Sequence, residues 1–295
     1  MKKSNLRRQL CMALLVLGIS ATMTAQEVRT FNFNHKGKTG IELKEQTRGN
    51  VTLEYNIDEM SLTSFSYKGE EMQAISINDI ALPNAKGLPN VPCYSRTIAI
   101  PQGSEAVMRV ISYERQVIKD VNIEPSLGIQ DENSKPDMNY TKDITVYNEN
   151  AYYPAEFATI STPTAIRGVD VVNVSISPVR FNPVTKEAIV YHNIELEIEF
   201  VGGNGHFGDD RLRSRYFDPI LAQNIINYNS LPVINYEARV QEWLRDGANG
   251  AEYLIITPNN DGWAESAQRL KEYRMQQGII TEIYRLDEMP ANTTT

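Results

Sequence analysis

The sequence predicts a mainly β protein: an antiparallel β-sandwich, followed by a short linker helix and the β-α-β opening of an α/β domain. Three observations carry this expectation. Ile194, Leu196, Ile198 and Phe200 alternate with Glu195, Glu197 and Glu199, the period of two that marks a strand with one apolar face. From residue 27 to about 201, short alternating runs are punctuated by Gly, Pro, Asn and Asp, and no convincing helical pattern interrupts them. Beyond Gly250, "AEYLIITP" is continuously apolar, the signature of a strand buried on both faces of a parallel sheet.

The elements follow in order. Lys2, Lys3, Arg7 and Arg8, then "LCMALLVLGISA", then "TMTAQ" make the three parts of a secretory signal, with cleavage expected between Ala25 and Gln26. Its apolar stretch is too short for a spanning helix, so no membrane span is expected in the mature chain. Arg8, Gln9 and Leu10 stand where a lipoprotein signal needs small residues before Cys11, and Arg7 with Arg8 is an ordinary basic start rather than a twin-arginine signal. The signal carries four basic residues and no acidic ones, so its loss moves the formal net charge from -8 to -12. Such a surface repels phosphate backbones and argues against a nucleic-acid partner. Cys93 would then be the only cysteine, so no internal disulfide can form and stability must come from core burial.

In the sandwich, "VTLEYNI", "TSFSYKG", "TIAIP" and "AVMRVISYERQVI" read as strands. Residues 126–150 are polar, contain Pro136 and show periodicity only near their end, which predicts a long exposed loop; loops of this length are usually functional or disordered. Val172, Val174 and Ile176 then form a strand that "NPVTK", through Pro183, turns into the 194–200 strand. After the glycine-rich and charged "FVGGNGHFGDDRLRSR", Asp218 and Pro219 serve as N-cap and first residue of a short helix. Trp263, Ala267 and Leu270 line a helix closed by Gly278, and "IITEIYRL" is the next strand. Two strands and one helix cannot cover a parallel sheet, so the pattern predicts part of a longer precursor. The divisions expected are 1–25 signal, 26–205 sandwich, 206–250 linker and 251–295 the truncated start of the α/β domain.

Candidate chemistry is sparse. His35 and His206 lie in polar surroundings and His192 beside the acidic strand, without the spacing of a metal motif. Cys93 reads as a packed thiol rather than a nucleophile. Asn259, Asn260 and Asp261 could offer oxygens to calcium, but a loop ending in a helix cap is the simpler reading. No catalytic, cofactor-binding or metal-binding residue is assigned.

Three stretches, "ALPNAKGLPNVPCYSRTIAIPQGS", "YYPAEFATISTPTAIRGVDVVNVSISPVRFNPVTKEAIVYHNIELEIEF" and "GAEYLIITPNNDGWAESAQRLKEYRMQQGIITEIYRLDEM", resemble in this order the prodomain and first catalytic segment of gingipain-family cysteine peptidases. The resemblance implies a secreted zymogen: a β-sandwich prodomain covering the cleft of a caspase-like α/β domain, exported to the periplasm and on to the outer-membrane surface or beyond. It implies that the catalytic His and Cys lie downstream, that this chain alone is inactive, and that calcium, if any, belongs to the complete catalytic domain. Its partners would be its own peptidase domain and a processing protease. The loop from Ser126 would be inhibitory, with Asp131 and Glu132 at the place of a basic substrate mimic and Lys135 just after it. Activation would cut between Arg239 and Val240, with Arg245 as the alternative and Arg211, Arg213 and Arg215 available for an earlier cut. A surface adhesion module is the competing reading; it predicts an exposed aromatic platform, for which Tyr140, Tyr147, Tyr152 and Tyr153 are candidates.

Overall fold

A computed structural model describes residues 27–33, 39–130, 133, 135, 138–210, 212–246 and 251–288. Within them, three antiparallel sheets share one core. The first contains β1 (Val28–Asn32), β4 (Glu59–Tyr67) and β5 (Glu70–Ile77) in the order β1-β4-β5. The second is built on β10 (Val169–Ile176), with β6 (Tyr94–Ala99) on one edge and β8 (Ala158–Ile160) and β9 (Thr164–Ile166) on the other. The third has β12 (Glu187–Gly202) at its centre. Along one edge of β12 run β11 (Val179–Asn182) and β3 (Asn50–Asn56), with β2 (Gly40–Gln46) outside β3; β7 (Ser104–Lys119) takes the other edge. Helices are few: α1 (Ile144–Tyr147), α2 (Asp218–Asn224), α3 (Tyr236–Asp246) and α4 (Asp261–Gln276).

The alternation in β12 does what its period dictates. Ile194, Leu196 and Ile198 are fully buried and lie opposite Tyr55, Leu53 and Val51 of β3. On the other face Glu195 meets Lys44, and Glu197 and Glu199 meet Arg109, pairs too exposed to add much stability. The hairpin partner differs from the expectation. β10 ends before Pro178, which cannot donate to a ladder, and the chain crosses to another sheet. The true partner is β11, with Phe181 paired to Ala188 and the turn spanning 183–186.

A register shift between His192 and Glu195 interrupts the β7–β12 ladder, with Asn193 at φ 49°. This bulge turns the buried His192 ring onto Phe33, 4.8 Å between centroids, with Nδ1 3.8 Å from Glu114. Burial holds its pKa below the ordinary value, and the Glu114 carboxylate only partly opposes this. The native state therefore binds this proton less readily than the unfolded chain. Its contribution is intact above the unfolded pKa of about 6.5 and is lost as pH falls through the native value. Thermal unfolding between pH 7 and 5 is expected to show a steeper loss for wild type than for His192→Gln; parallel curves would refute the assignment.

The β-α-β segment forms as predicted in type. β13 (Tyr253–Thr257) and β14 (Thr281–Arg285) pair in parallel, and Gly278, at φ 76°, closes α4. The Asn260 side chain accepts from Gly262 N–H at 2.8 Å, so it caps α4, and Asp261 pairs with Arg285. β13 is not buried on both faces: Leu254 and Ile256 are 50% and 54% exposed, because a single helix covers the two strands.

Candidate functional site

The candidate residues fall in two places, the loop after β7 and the segment joining the sandwich to the β-α-β unit. Asp131 and Glu132 lie outside the described residues, as do Ala25, Gln26, His35 and Arg211. Lys135 is exposed.

The chain entering the loop is not solvated, and neither is the first residue of the expected loop, Ser126. Ile123, Glu124 and Ser126 are buried. Their backbones are paired: Glu124 N–H donates to Gln73 O (3.0 Å), Asn90 N–H to Glu124 O (2.9 Å) and Ser126 N–H to Leu88 O (2.7 Å). Burial raises the Glu124 pKa, and the Asn90 side-chain amide, donating at 3.0 Å, opposes the rise. The returning limb is equally fixed. Tyr140 packs on Phe65 and Tyr67 of β4, 5.4 and 5.1 Å between centroids, and Asn139 Oδ1 accepts from Tyr67 Oη–H at 3.0 Å. Lys142 is paired with Glu70, which lowers the Glu70 pKa, and lies over the Tyr147 ring. Asp143 then caps α1, accepting from Thr145 N–H at 2.9 Å. This one-turn helix arises inside the stretch expected to be loop, and the D-x-T cap was its signal. Between these anchored limbs Ile129 and Met138 are exposed.

The tyrosines proposed for an adhesive platform are spent otherwise. Tyr147 is buried and donates to Ile123 O at 2.9 Å; Tyr152 and Tyr153, both part-buried, donate to Glu187 and Asn84. Tyr147 thereby ties α1 to the chain entering the loop, and Tyr152 and Tyr153 pack against the core.

The connecting segment packs on the second sheet through its described residues. Phe207, Leu221, Ile225 and Leu231 form a satellite core with Ala99, Val169 and Val171 of the second sheet. Asn227, 1% exposed, accepts from Ala99 N–H at 2.7 Å and donates to Ala99 O at 2.9 Å, standing in for a strand partner at the edge of β6. Asp218 is the first residue of α2 rather than its N-cap, because its carboxylate is engaged elsewhere. It receives Arg213 Nε–H at 3.1 Å and Nη2–H at 2.7 Å, a bidentate pair. Arg213 also donates to Pro232 O and Tyr228 Oη, so it is a buried structural cation. Arg215 reaches the β-α-β unit, pairing with Glu252 at 2.9 Å and donating to Gly278 O.

Arg239 and Val240 sit inside α3, a helix not expected from sequence, and Arg245 belongs to the same helix. Its signal was present: Asn235 at a capping position, and Val240, Trp243 and Leu244 at i, i+3 and i+4. Asn235 Oδ1 accepts from Ala238 N–H at 2.9 Å, and Asn235 O accepts from Arg239 N–H at 3.1 Å. Arg239 donates to Arg213 O at 3.3 Å and stacks on Tyr236. Both Arg239 and Val240 line a cavity of about 240 Å³ with Arg167, Phe217, Tyr236 and Glu252. Cys93 is half-buried and bridges to Ala81 through backbone. Among the described residues no group of three His, Cys, Asp or Glu side chains is placed to hold a metal ion, and no helix is long and apolar enough to cross a membrane.

Comparison with known proteins agrees with this architecture. Gingipain R2 of Porphyromonas gingivalis is 25% identical over 242 residues, 82% of this chain and 32% of that protein. Lys-gingipain of the same species is 27% identical over 173 residues, 56% of this chain and 10% of that protein. The chain thus spans about a third or less of the relatives it matches. The solved complex of Porphyromonas gingivalis RgpB pro- and mature domains aligns with a TM-score of 0.58 at 25% identity, over 65% of this chain and 98% of the other. A structure addressing zymogenic latency of gingipain K shares the fold, with a TM-score of 0.51 at 22% identity, over 60% of this chain and 100% of the other. The family model Propeptide_C25 matches residues 35–232, the sandwich together with its packed connecting segment. The chain belongs to the Propeptide_C25 family and carries the propeptide region of a gingipain-type cysteine peptidase precursor.

Proposed function

We propose that the sandwich, residues 26–205 with the packed segment after it, is an inhibitory and folding-assisting prodomain for a peptidase domain that begins near residue 251. The observation that carries this reading is the loop of residues 127–142, anchored along both limbs and exposed at Ile129, Lys135 and Met138 among its described residues, in a chain of the propeptide family. A loop fixed in this way blocks a cleft at little ordering cost, which is what makes protease inhibitors bind well. Lys135 is the loop's exposed basic side chain and our candidate for the specificity pocket, with Asp131 and Glu132 beside it. Leu254 and Ile256 on the uncovered sheet face would be covered by the rest of an α/β domain. Residues 1–25 would direct export, and a processing protease would cut between Arg239 and Val240.

While prodomain and peptidase are one chain, the tether keeps the effective concentration of inhibitor in the millimolar range. A cut makes the association bimolecular, so dilution releases active enzyme, and until then binding stabilises the folded peptidase by mass action. The segment 26–239 is expected to fold alone and inhibit the mature peptidase in trans. Lys135→Ala is expected to lose about 2 kcal/mol or more of binding, some thirtyfold in Ki, as a buried partner charge is left unpaired. An inhibition assay at large molar excess of prodomain decides this: no inhibition refutes the function, and unchanged inhibition by Lys135→Ala refutes the pocket assignment. The adhesion reading lacks its platform, since the four tyrosines are committed to packing and hydrogen bonds.

A further inference from the structure

Both limbs of the loop meet at a single residue. Gly87 N–H donates to Ser126 O at 2.9 Å where the chain leaves the sandwich, and Gly87 O accepts from Asp143 N–H at 2.9 Å where it returns. Residues 126 and 143 are thus tied together through the two peptide units that flank the Gly87 Cα, contributed by a different part of the chain. No side chain takes part, and only backbone conformation decides whether the tie forms. Gly87 has φ +91°, outside the range that L-residues adopt readily. A Cβ there would meet backbone as well: Thr141 O at 3.2 Å and Asp143 N at 3.3 Å, on the returning limb itself. A side chain at position 87 would therefore push that limb away from the outgoing one. The outgoing limb has its own support, since Ser126 Oγ–H donates to Asn84 O at 2.8 Å and accepts from Gly128 N–H at 3.0 Å. Opening the tie is expected to splay the loop without unfolding the sheets behind it.

We propose that Gly87 is a positioning residue for inhibition: it closes the base of the loop, and so fixes the spacing at which the loop enters the peptidase cleft. This rests on the inhibitory reading of that loop. Gly87 touches no peptidase group; it acts through residues 126 and 143.

The test uses the exported chain, residues 26–295, added in trans to the mature peptidase released from the complete precursor. Gly87→Val is compared with Gly69→Val. Gly69 has a similar φ, +83°, but nothing within 4 Å of its would-be Cβ, so it reports the cost of backbone strain alone. A second pair keeps the test open if Gly87→Val folds poorly. Asp143 has φ -72°, which proline tolerates, so Asp143→Pro deletes the N–H that Gly87 receives, while Asp143→Ala loses only the same α1 cap. Gly87→Val and Asp143→Pro are expected to raise Ki about tenfold over their controls, which stay within about twofold of wild type. Hydrogen exchange is expected to quicken at the Ser126 and Asp143 limbs in these two variants and nowhere in the sheets. If Ki and exchange follow the controls, the proposal is overturned. Replacing residues 128–141 by a short Gly-Ser bridge separates the two claims. Full inhibition by that variant overturns the inhibitory reading and the role of Gly87 with it. Loss of inhibition there, with Gly87→Val and Asp143→Pro inhibiting like wild type, overturns the role of Gly87 alone.

Discussion

Asp218→Ala is expected to destabilise the propeptide by about 3–5 kcal/mol, the cost of leaving a buried charge without its partner. Arg213 has a side chain only 1% exposed, and Asp218 provides both acceptors of its bidentate pair. Desolvation alone would lower the guanidinium pKa; the carboxylate more than reverses this, and an arginine cannot escape by losing its proton. The acceptors that remain, Pro232 O and Tyr228 Oη, carry no formal charge. α2 would loosen with the pair, and with it the contact of Leu221 and Ile225 with Val169 and Val171. Joint replacement by apolar residues of similar volume, Arg213→Met with Asp218→Leu, is expected to recover most of the loss, because no lone charge is then left. Urea unfolding of wild type and the two variants measures both effects. A loss under about 1 kcal/mol in Asp218→Ala would show the site to be wet enough to solvate Arg213.

That pair also shows where sequence reading stops. The strands were legible because their signal is local: the period of two in β12 fixes which face is buried, whatever the strand pairs with. What β12 pairs with was not local. The strand containing Val172 looked like its hairpin partner, and only the missing N–H of Pro178 hinted that the chain changes sheet there. Asp218 before Pro219 satisfied the local rule for a helix cap, yet the demand of Arg213, buried by tertiary packing, took its carboxylate. In the loop, polarity predicted exposure, while the anchoring bonds of Ser126 and Asp143 run to residues some forty or more positions earlier in the chain and leave no periodic trace. α3 is a different case, since its signal, Asn235 and the apolar spacing after it, is local and lies in the sequence.

Arg239→Gln is expected to abolish the activating cut, and Asn235→Ala to accelerate it about fivefold. Peptidases cleave extended backbone, whereas the bond after Arg239 lies inside α3, with the Arg239 N–H donated to Asn235 O and its guanidinium to Arg213 O. Cleavage must therefore wait for local opening, and its rate follows the open population when closing is fast. Losing the Asn235 cap costs a helix about 1 kcal/mol, which is roughly fivefold in that population. Asp218→Ala is expected to accelerate the cut too, since Arg213 holds Arg239 through its carbonyl. N-terminal sequencing of the processed product identifies the site: Val240 as the new first residue supports it, and an unchanged rate in Arg239→Gln moves the cut elsewhere, with Arg245 next to test. Cleavage and activity should also separate in time. Arg215 would lie before a cut at Arg239–Val240 and Glu252 after it, so their ion pair, with the Glu252 side chain only 7% exposed, would still join the two pieces once the chain is severed. The predicted sequence is a cut zymogen that stays latent until the pieces part, with Arg215→Ala shortening the lag between the new N-terminus and the first activity.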